Sequence, residues 1–187
     1  MLLTPVTSAQ VGVAYTNFAN VFTANQRINA GLGVNTAPGA TGTISASGNL
    51  FDLSRTVGIG EWTTVAYSSG NFTAAPSMTW TVDSGDQVAY AYMIVGHTMF
   101  LAATLNTTSV GGTPNTELRL NVPGGFTCAN SGTLGAIRAF DNGTDTVGFA
   151  AAQSGATYIR LFRGGFTAWS ASTNNTSIQL NVILQVN

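Results

Sequence analysis

Asp86–Leu105 reads DQVAYAYMIVGHTMFLAATL, and the fold follows from how that stretch is read. Val88, Tyr90, Tyr92 and Ile94 alternate with Ala89, Ala91, Met93 and Val95, the period of two that puts successive side chains on opposite faces of a strand. Gly96-His97 interrupts the run, and Thr98–Leu105 resumes a β-type composition. Two such runs joined at a glycine-containing pair predict a hairpin, because a tight hairpin turn needs the positive φ that glycine tolerates. Both faces of this hairpin carry apolar or small residues. A half-solvated sheet would show polar residues on one face, so the pair is expected to be central and covered on both sides.

Downstream and upstream of the hairpin the same signals recur at short intervals. Trp62–Tyr67 and Ser77–Val82 are predicted strands, separated by a Ser-Ser-Gly-Asn turn and followed by the turn Asp83–Asp86. Asn106–Pro114, rich in Thr, Ser and Gly, is expected to be a loop. Leu118, Leu120 and Val122 alternate with Glu117, Arg119 and Asn121, and Pro123-Gly124-Gly125 ends that strand. Thr133–Phe140 and Thr146–Ala152 flank Asp141-Asn142-Gly143, a second hairpin signal. Ala156–Phe162 and Ser177–Val186 complete the set. The expectation is an all-β, jelly-roll-like antiparallel β-sandwich of about eight or nine strands occupying residues 61–187.

Residues 1–60 have a different texture. Phe18, Phe22, Gln26, Ile28 and Leu32 are irregularly spaced among Asn and Thr, and 35–48 (NTAPGATGTISASG) is small and turn-rich. So few large apolar residues cannot close a core alone. The segment reads as an extended N-terminal arm that needs another surface, with those five residues as its candidate docking contacts.

Composition narrows function. Only 7% of the 187 residues are charged, against roughly 25% in an ordinary soluble domain. The chain has no Lys; its six cations are Arg27, Arg55, Arg119, Arg138, Arg160 and Arg163. No cluster of cations is present to neutralise phosphates, which argues against nucleic acid as a partner, and a polybasic membrane patch is absent on the same count. No stretch approaches the ~18 consecutive apolar residues of a membrane span, and Met1-Leu2-Leu3 lacks the basic start of a signal peptide. A mean hydropathy of +0.22 with so little charge fits two readings, an uncharged exterior shell or a protomer that hides surface against copies of itself, and the second is preferred.

Catalytic and metal chemistry has few residues to draw on. His97 is the single histidine and Cys128 the single cysteine, so a conventional zinc site or Ser-His-Asp triad lacks partners, and no cofactor is expected. His97 reads as a turn residue and Cys128 as a small buried hydrophobe. Asp83/Asp86 and Asp141/Asp145 sit in turns that could offer oxygen ligands to calcium, though neither matches an EF-hand, and Asp and Asn favour turns in any case. Of the aromatics, Trp80 is expected in the core, whereas Trp169, beside the Gly164-Gly165 break, is the candidate exposed ring for ligand contact. Arg138 and Arg160 fall inside strands, where each needs a partner such as Glu117 or Asp145.

Tyr92-x-x-x-Gly96, the Thr/Gly loop and Leu118-x-Leu120-x-Val122-Pro123-Gly124 together resemble a pattern of bacteriophage fibre-tip and capsid-decoration domains, with Val122 where Leu is common. Val21–Asn29 (VFTANQRIN) is similar to segments of phage tail-fibre stems. The resemblance implies a non-enzymatic virion surface protein, a homotrimer of β-sandwiches with no catalytic residues. Its expected partners are copies of itself and the major capsid protein or other virion proteins, as a decoration or cement protein on the outside of the head. The alternative is a receptor-binding tip that recognises a host surface glycan or protein. Both place the protein on the exterior of the particle, made in the host cytoplasm.

Overall fold

The computed structural model describes residues 60–187; the arm residues Phe18, Phe22, Gln26, Ile28 and Leu32 lie outside them. The chain divides between Ala46 and Ser47, and the described residues belong to the second unit. They form ten strands: β1 (Thr63–Thr64), β2 (Phe72–Ala74), β3 (Met78–Thr81), β4 (Gln87–Val95), β5 (Thr98–Gly112), β6 (Glu117–Asn121), β7 (Gly132–Asp141), β8 (Thr144–Ala152), β9 (Tyr158–Arg163) and β10 (Ser172–Gln185). All pair antiparallel in the order β1-β4-β5-β10-β7-β8-β9-β6-β2, with β3 on the far half of β5. The expected all-β, sandwich-like class is the one found, as a single sheet curled into a half-barrel.

Alternation explains which face turns inward. Met99, Leu101, Ala103 and Leu105 of β5 meet Ile178, Leu180, Val182 and Leu184 of β10 in the core, joined by Leu118, Leu120, Ile159 and Leu161 from the opposite wall. The two ends of the sheet come together through aromatic rings. Phe72 of β2 lies edge-on to Trp80 of β3 at 5.6 Å and 6.2 Å from Tyr90 of β4. The Tyr90 hydroxyl donates to the carbonyl of Asn121, at the end of β6.

The 86–105 hairpin forms as expected, with its turn at Gly96-His97. The 106–114 segment is a correction: it is no loop, because β5 runs on to Gly112. Thr108, though polar, is fully buried there, since Trp80 Nε1 donates to its Oγ1 at 2.9 Å and that hydroxyl donates to Thr176 O at 2.9 Å. With both polar atoms satisfied, a Thr/Ser/Gly run can serve as an interior strand. β1 is shorter than expected, β10 starts at Ser172, and Phe72–Ala74 adds a strand.

The expected cover on the hairpin's outer face is not supplied by the described residues. Met93, Phe100 and Ile183 lie side by side across β4, β5 and β10, above a parallel row of Ala91, Ala102 and Asn181. Trp62, one residue before β1, continues the first row. No charged side chain stands among them, yet Ile183 remains 54% and Trp62 51% exposed. Among the described residues, nothing lies over this face to exclude water.

Candidate functional site

β9 ends in Arg163, and Gly164-Gly165-Phe166 then turns the chain outward. Phe166 adopts φ +55°, a left-handed conformation that costs a bulky side chain roughly 1–2 kcal/mol. Its ring stays 60% exposed. It stands edge-on to Phe149 at 5.0 Å and to Phe162 at 5.3 Å, and those two rings stack at 5.2 Å across β8 and β9. Aromatic pairs of this geometry contribute about 0.5–1.5 kcal/mol each, enough to hold the strained turn.

The strands can approach closely here because residue 148 is a glycine. A side chain at Gly148 would meet the carbonyl oxygen of Phe162 at 2.0 Å. Beside the rings runs a polar strip on β9 and β6. Glu117 accepts from Arg119 Nε at 2.5 Å and lies 4.0 Å from Arg160. Arg119 is stacked over the Tyr158 ring at 4.7 Å and Arg160 over Phe162 at 5.6 Å. The site is therefore an aromatic knob flanked by two guanidinium groups that share one carboxylate.

Two stretches of the sequence build this surface as near-copies. Thr116–Thr127 reads TELRLNVPGGFT and Thr157–Thr167 reads TYIRLFRGGFT, one residue shorter. β6 and β9 pair with Arg119 opposite Arg160, Leu118 opposite Leu161 and Leu120 opposite Ile159, so a local twofold axis passes between the two arginines. Phe126, the counterpart of Phe166, has an ordinary φ of −79° and packs half-buried against the core. The repeated Gly-Gly-Phe-Thr was readable in the sequence and is the signal that would have pointed to Phe166.

Trp169 is a correction. It is 0% exposed, its Nε1 donates to Leu161 O at 3.3 Å, and its backbone N–H donates to Asn115 O at 2.9 Å. The Gly-Gly break does expose an aromatic ring, but the turn presents Phe166 and returns the larger indole to the core. Trp80 is buried as expected.

Among the described residues, Asp86, Glu117, Asp141 and Asp145 are engaged in contacts within the protein. Asp86 accepts from Asp83 N and from Thr107 Oγ1, both at 2.9 Å. Asp141, 3% exposed, accepts from Ser170 N at 2.9 Å, Ser170 Oγ at 2.7 Å and Arg163 Nη1 at 2.7 Å. Arg138 pairs with Asp145 at 3.1 Å, and the partners expected for Arg138 and Arg160 are found within the chain. His97 sits exposed in its turn, and burial pushes the Cys128 thiol pKa up. Among the described residues no three His, Cys, Asp or Glu side chains are grouped to hold a metal ion, and no helix is long and apolar enough to cross a membrane.

No family model, curated protein or solved structure matches the chain.

Proposed function

We propose that the chain is a non-enzymatic structural protein of a bacteriophage virion, a homotrimer that decorates the outer surface of the capsid. The virion setting rests on the resemblance of Tyr92–Gly96, Leu118–Gly124 and Val21–Asn29 to phage surface proteins. The observation that carries a holding role is Phe166, an apolar ring kept in solvent at the cost of backbone strain. Strained residues concentrate where contact or chemistry is made, and an exposed apolar patch on a chain so poor in charge suits adhesion. The test is co-sedimentation with expanded capsids that lack the protein. Wild type binds stoichiometrically and Phe166→Asn, which keeps the left-handed turn, loses most of the binding while its mass by light scattering stays that of a trimer. A wild type that leaves the capsids bare, or that weighs one 19.3 kDa chain, refutes the proposal.

One feature favours the alternative reading of a receptor-binding tip. The ring is bordered by Arg160, Glu117 and Arg119, and an apolar face beside charged hydrogen-bonding groups also fits a saccharide. Under that reading the wild type binds host cells or their glycans, Phe166→Asn does not, and capsids stay bare.

A further inference from the structure

Two cations face each other on the wall that carries Phe166. In the β6–β9 pairing Arg119 lies opposite Arg160, and the row continues to Thr73 of β2 on one side and Ala151 of β8 on the other, both uncharged. Like charges directly opposite on neighbouring strands destabilise a sheet. Glu117 offsets part of that cost, accepting from Arg119 Nε at 2.5 Å and lying 4.0 Å from Arg160 Nη1. We infer that the missing counter-charge comes from outside the chain, as a carboxylate on the protein surface that receives Phe166. That surface is the capsid of the adhesion proposed above, on which this inference rests.

Three observations carry it. The first is the state of Arg160. Among the described residues it makes no hydrogen bond: Glu117 Oε2 at 4.0 Å is beyond hydrogen-bond reach, and Nε is buried without an acceptor. Its side chain is 29% exposed, which leaves a route to it from solvent. A guanidinium offers five donors in a planar fork, and two of them match the paired oxygens of a carboxylate.

The second is the repeat. Thr116–Leu120 reads TELRL and Thr157–Leu161 reads TYIRL. The local twofold that exchanges the two arginines therefore exchanges Glu117 with Tyr158, and only one of those positions holds an anion. Two of the chain's six cations thus share one carboxylate at a single spot, leaving one positive charge in excess. That excess suits a singly charged carboxylate better than a phosphate, which carries nearly two charges.

The third is the neighbourhood. Arg160 stacks over Phe162, whose ring stands 5.3 Å from that of Phe166. A surface docking on the knob therefore meets a bare ring and an unpaired cation one aromatic side chain apart. Its complement is an apolar hollow with a carboxylate at the rim, and charge so placed fixes the register of an adhesive contact.

The test is binding of the full chain to expanded capsids that lack it. Raising NaCl from about 0.05 to 0.5 M weakens wild type about tenfold, because the pair lies at the surface. Arg160→Gln weakens binding about tenfold at low salt and removes most of the salt dependence. Arg160→Lys, which keeps the charge and loses the fork, falls between them. Arg138→Gln, at a cation paired with Asp145 elsewhere on the sheet, binds as wild type does. The urea midpoint of Arg160→Gln stays at or above that of wild type, since one of two opposed like charges is gone. Amidating the capsid carboxylates with a carbodiimide and glycinamide brings wild type down to the level of Arg160→Gln.

Wild type that binds the capsids but is indifferent to Arg160→Gln or to amidation overturns the inference and leaves the adhesion standing. So does a lowered midpoint that accounts for the loss, which would make Arg160 a structural residue. Capsids left bare by wild type at every salt concentration refute the adhesion and the inference together, and retention on immobilised polygalacturonate in that case makes an acidic saccharide the occupant.

Discussion

Removing the carboxylate of Asp141 tests whether the β7–β8 turn anchors the segment that displays Phe166 and buries Trp169. Asp141 takes three hydrogen bonds, two from Ser170 and one from Arg163 at 2.7 Å, in a site from which water is almost excluded. In Asp141→Ala, Arg163 keeps only the carbonyl of Ala168, to which its Nη1 donates at 2.5 Å, and Ser170 loses both acceptors. Breaking a buried ion pair from one side costs about 3–5 kcal/mol, since the remaining charge stays desolvated. The Arg163 side chain is 21% exposed, so water recovers part of its solvation and the lower end, about 3 kcal/mol, applies. That is a large share of the roughly 5–15 kcal/mol that separates folded from unfolded chains. Urea unfolding followed by tryptophan emission reads it directly, because Trp169 adjoins Ser170. In a double-mutant cycle with Arg163→Met, the two substitutions together should cost less than the sum of each alone by at least about 1.5 kcal/mol. A loss below about 1 kcal/mol for Asp141→Ala, or additive costs in the cycle, would refute the reasoning.

Two further outcomes follow from close packing and from burial. Gly148→Ala forces β8 and β9 apart, since its new methyl would meet the Phe162 carbonyl oxygen at 2.0 Å. Overpacking of this kind costs about 3 kcal/mol or more where backbone must move, and an unfolding midpoint equal to wild type would contradict the strand spacing. Tyr90 titrates well above the usual phenol range because burial disfavours its anion. The unfolded chain ionises first, near pH 10, so the stabilising contribution of Tyr90 is complete below about pH 10 and is lost as pH rises above it. Stability should fall steeply there in the wild type and less so in Tyr90→Phe; identical alkaline limbs would dissociate Tyr90 from the loss.

The parts of the fold that were legible are those where one residue type means one thing. Alternation in Val88–Val95 and Leu118–Val122, and the Asp-Asn-Gly turn, report local backbone preferences that tertiary packing leaves intact. The 106–114 segment was not legible, because Thr108 is an interior residue only by virtue of Trp80 and Thr176, which are remote in sequence. Trp169 failed for a related reason. A Gly-Gly break announces that the chain turns, but which of the following rings faces solvent depends on Asp141, Arg163 and Asn115 holding the return segment. Pairing of Arg138 with Asp145 was within reach of the sequence, since both lie close to one predicted hairpin turn. Asp141 was not: the sequence shows a turn carboxylate that could offer an oxygen ligand, whereas in the fold it is buried against Ser170 and Arg163.

The repeated Leu/Ile-Arg-Leu…Gly-Gly-Phe-Thr bears on what the exposed ring is for. Where the repeat carries Asn121-Val122-Pro123, Val122 and Pro123 are buried and Phe126 folds inward at a relaxed φ. Where it carries only Phe162-Arg163, the arginine is drawn to Asp141, and the glycine pair swings Phe166 outward into a strained one. The same motif thus has an unstrained solution available within the same sheet, on the other side of a local twofold axis. Outward presentation of Phe166 is therefore no by-product of the Gly-Gly-Phe-Thr turn itself. It accompanies a one-residue shortening and the Arg163–Asp141 pair, which connects the stability predicted to be lost in Asp141→Ala to the adhesion proposed for Phe166. Under the proposed capsid adhesion, Asp141→Ala weakens binding even under conditions where the sheet remains folded, because the turn then relaxes toward the inward arrangement of its twin.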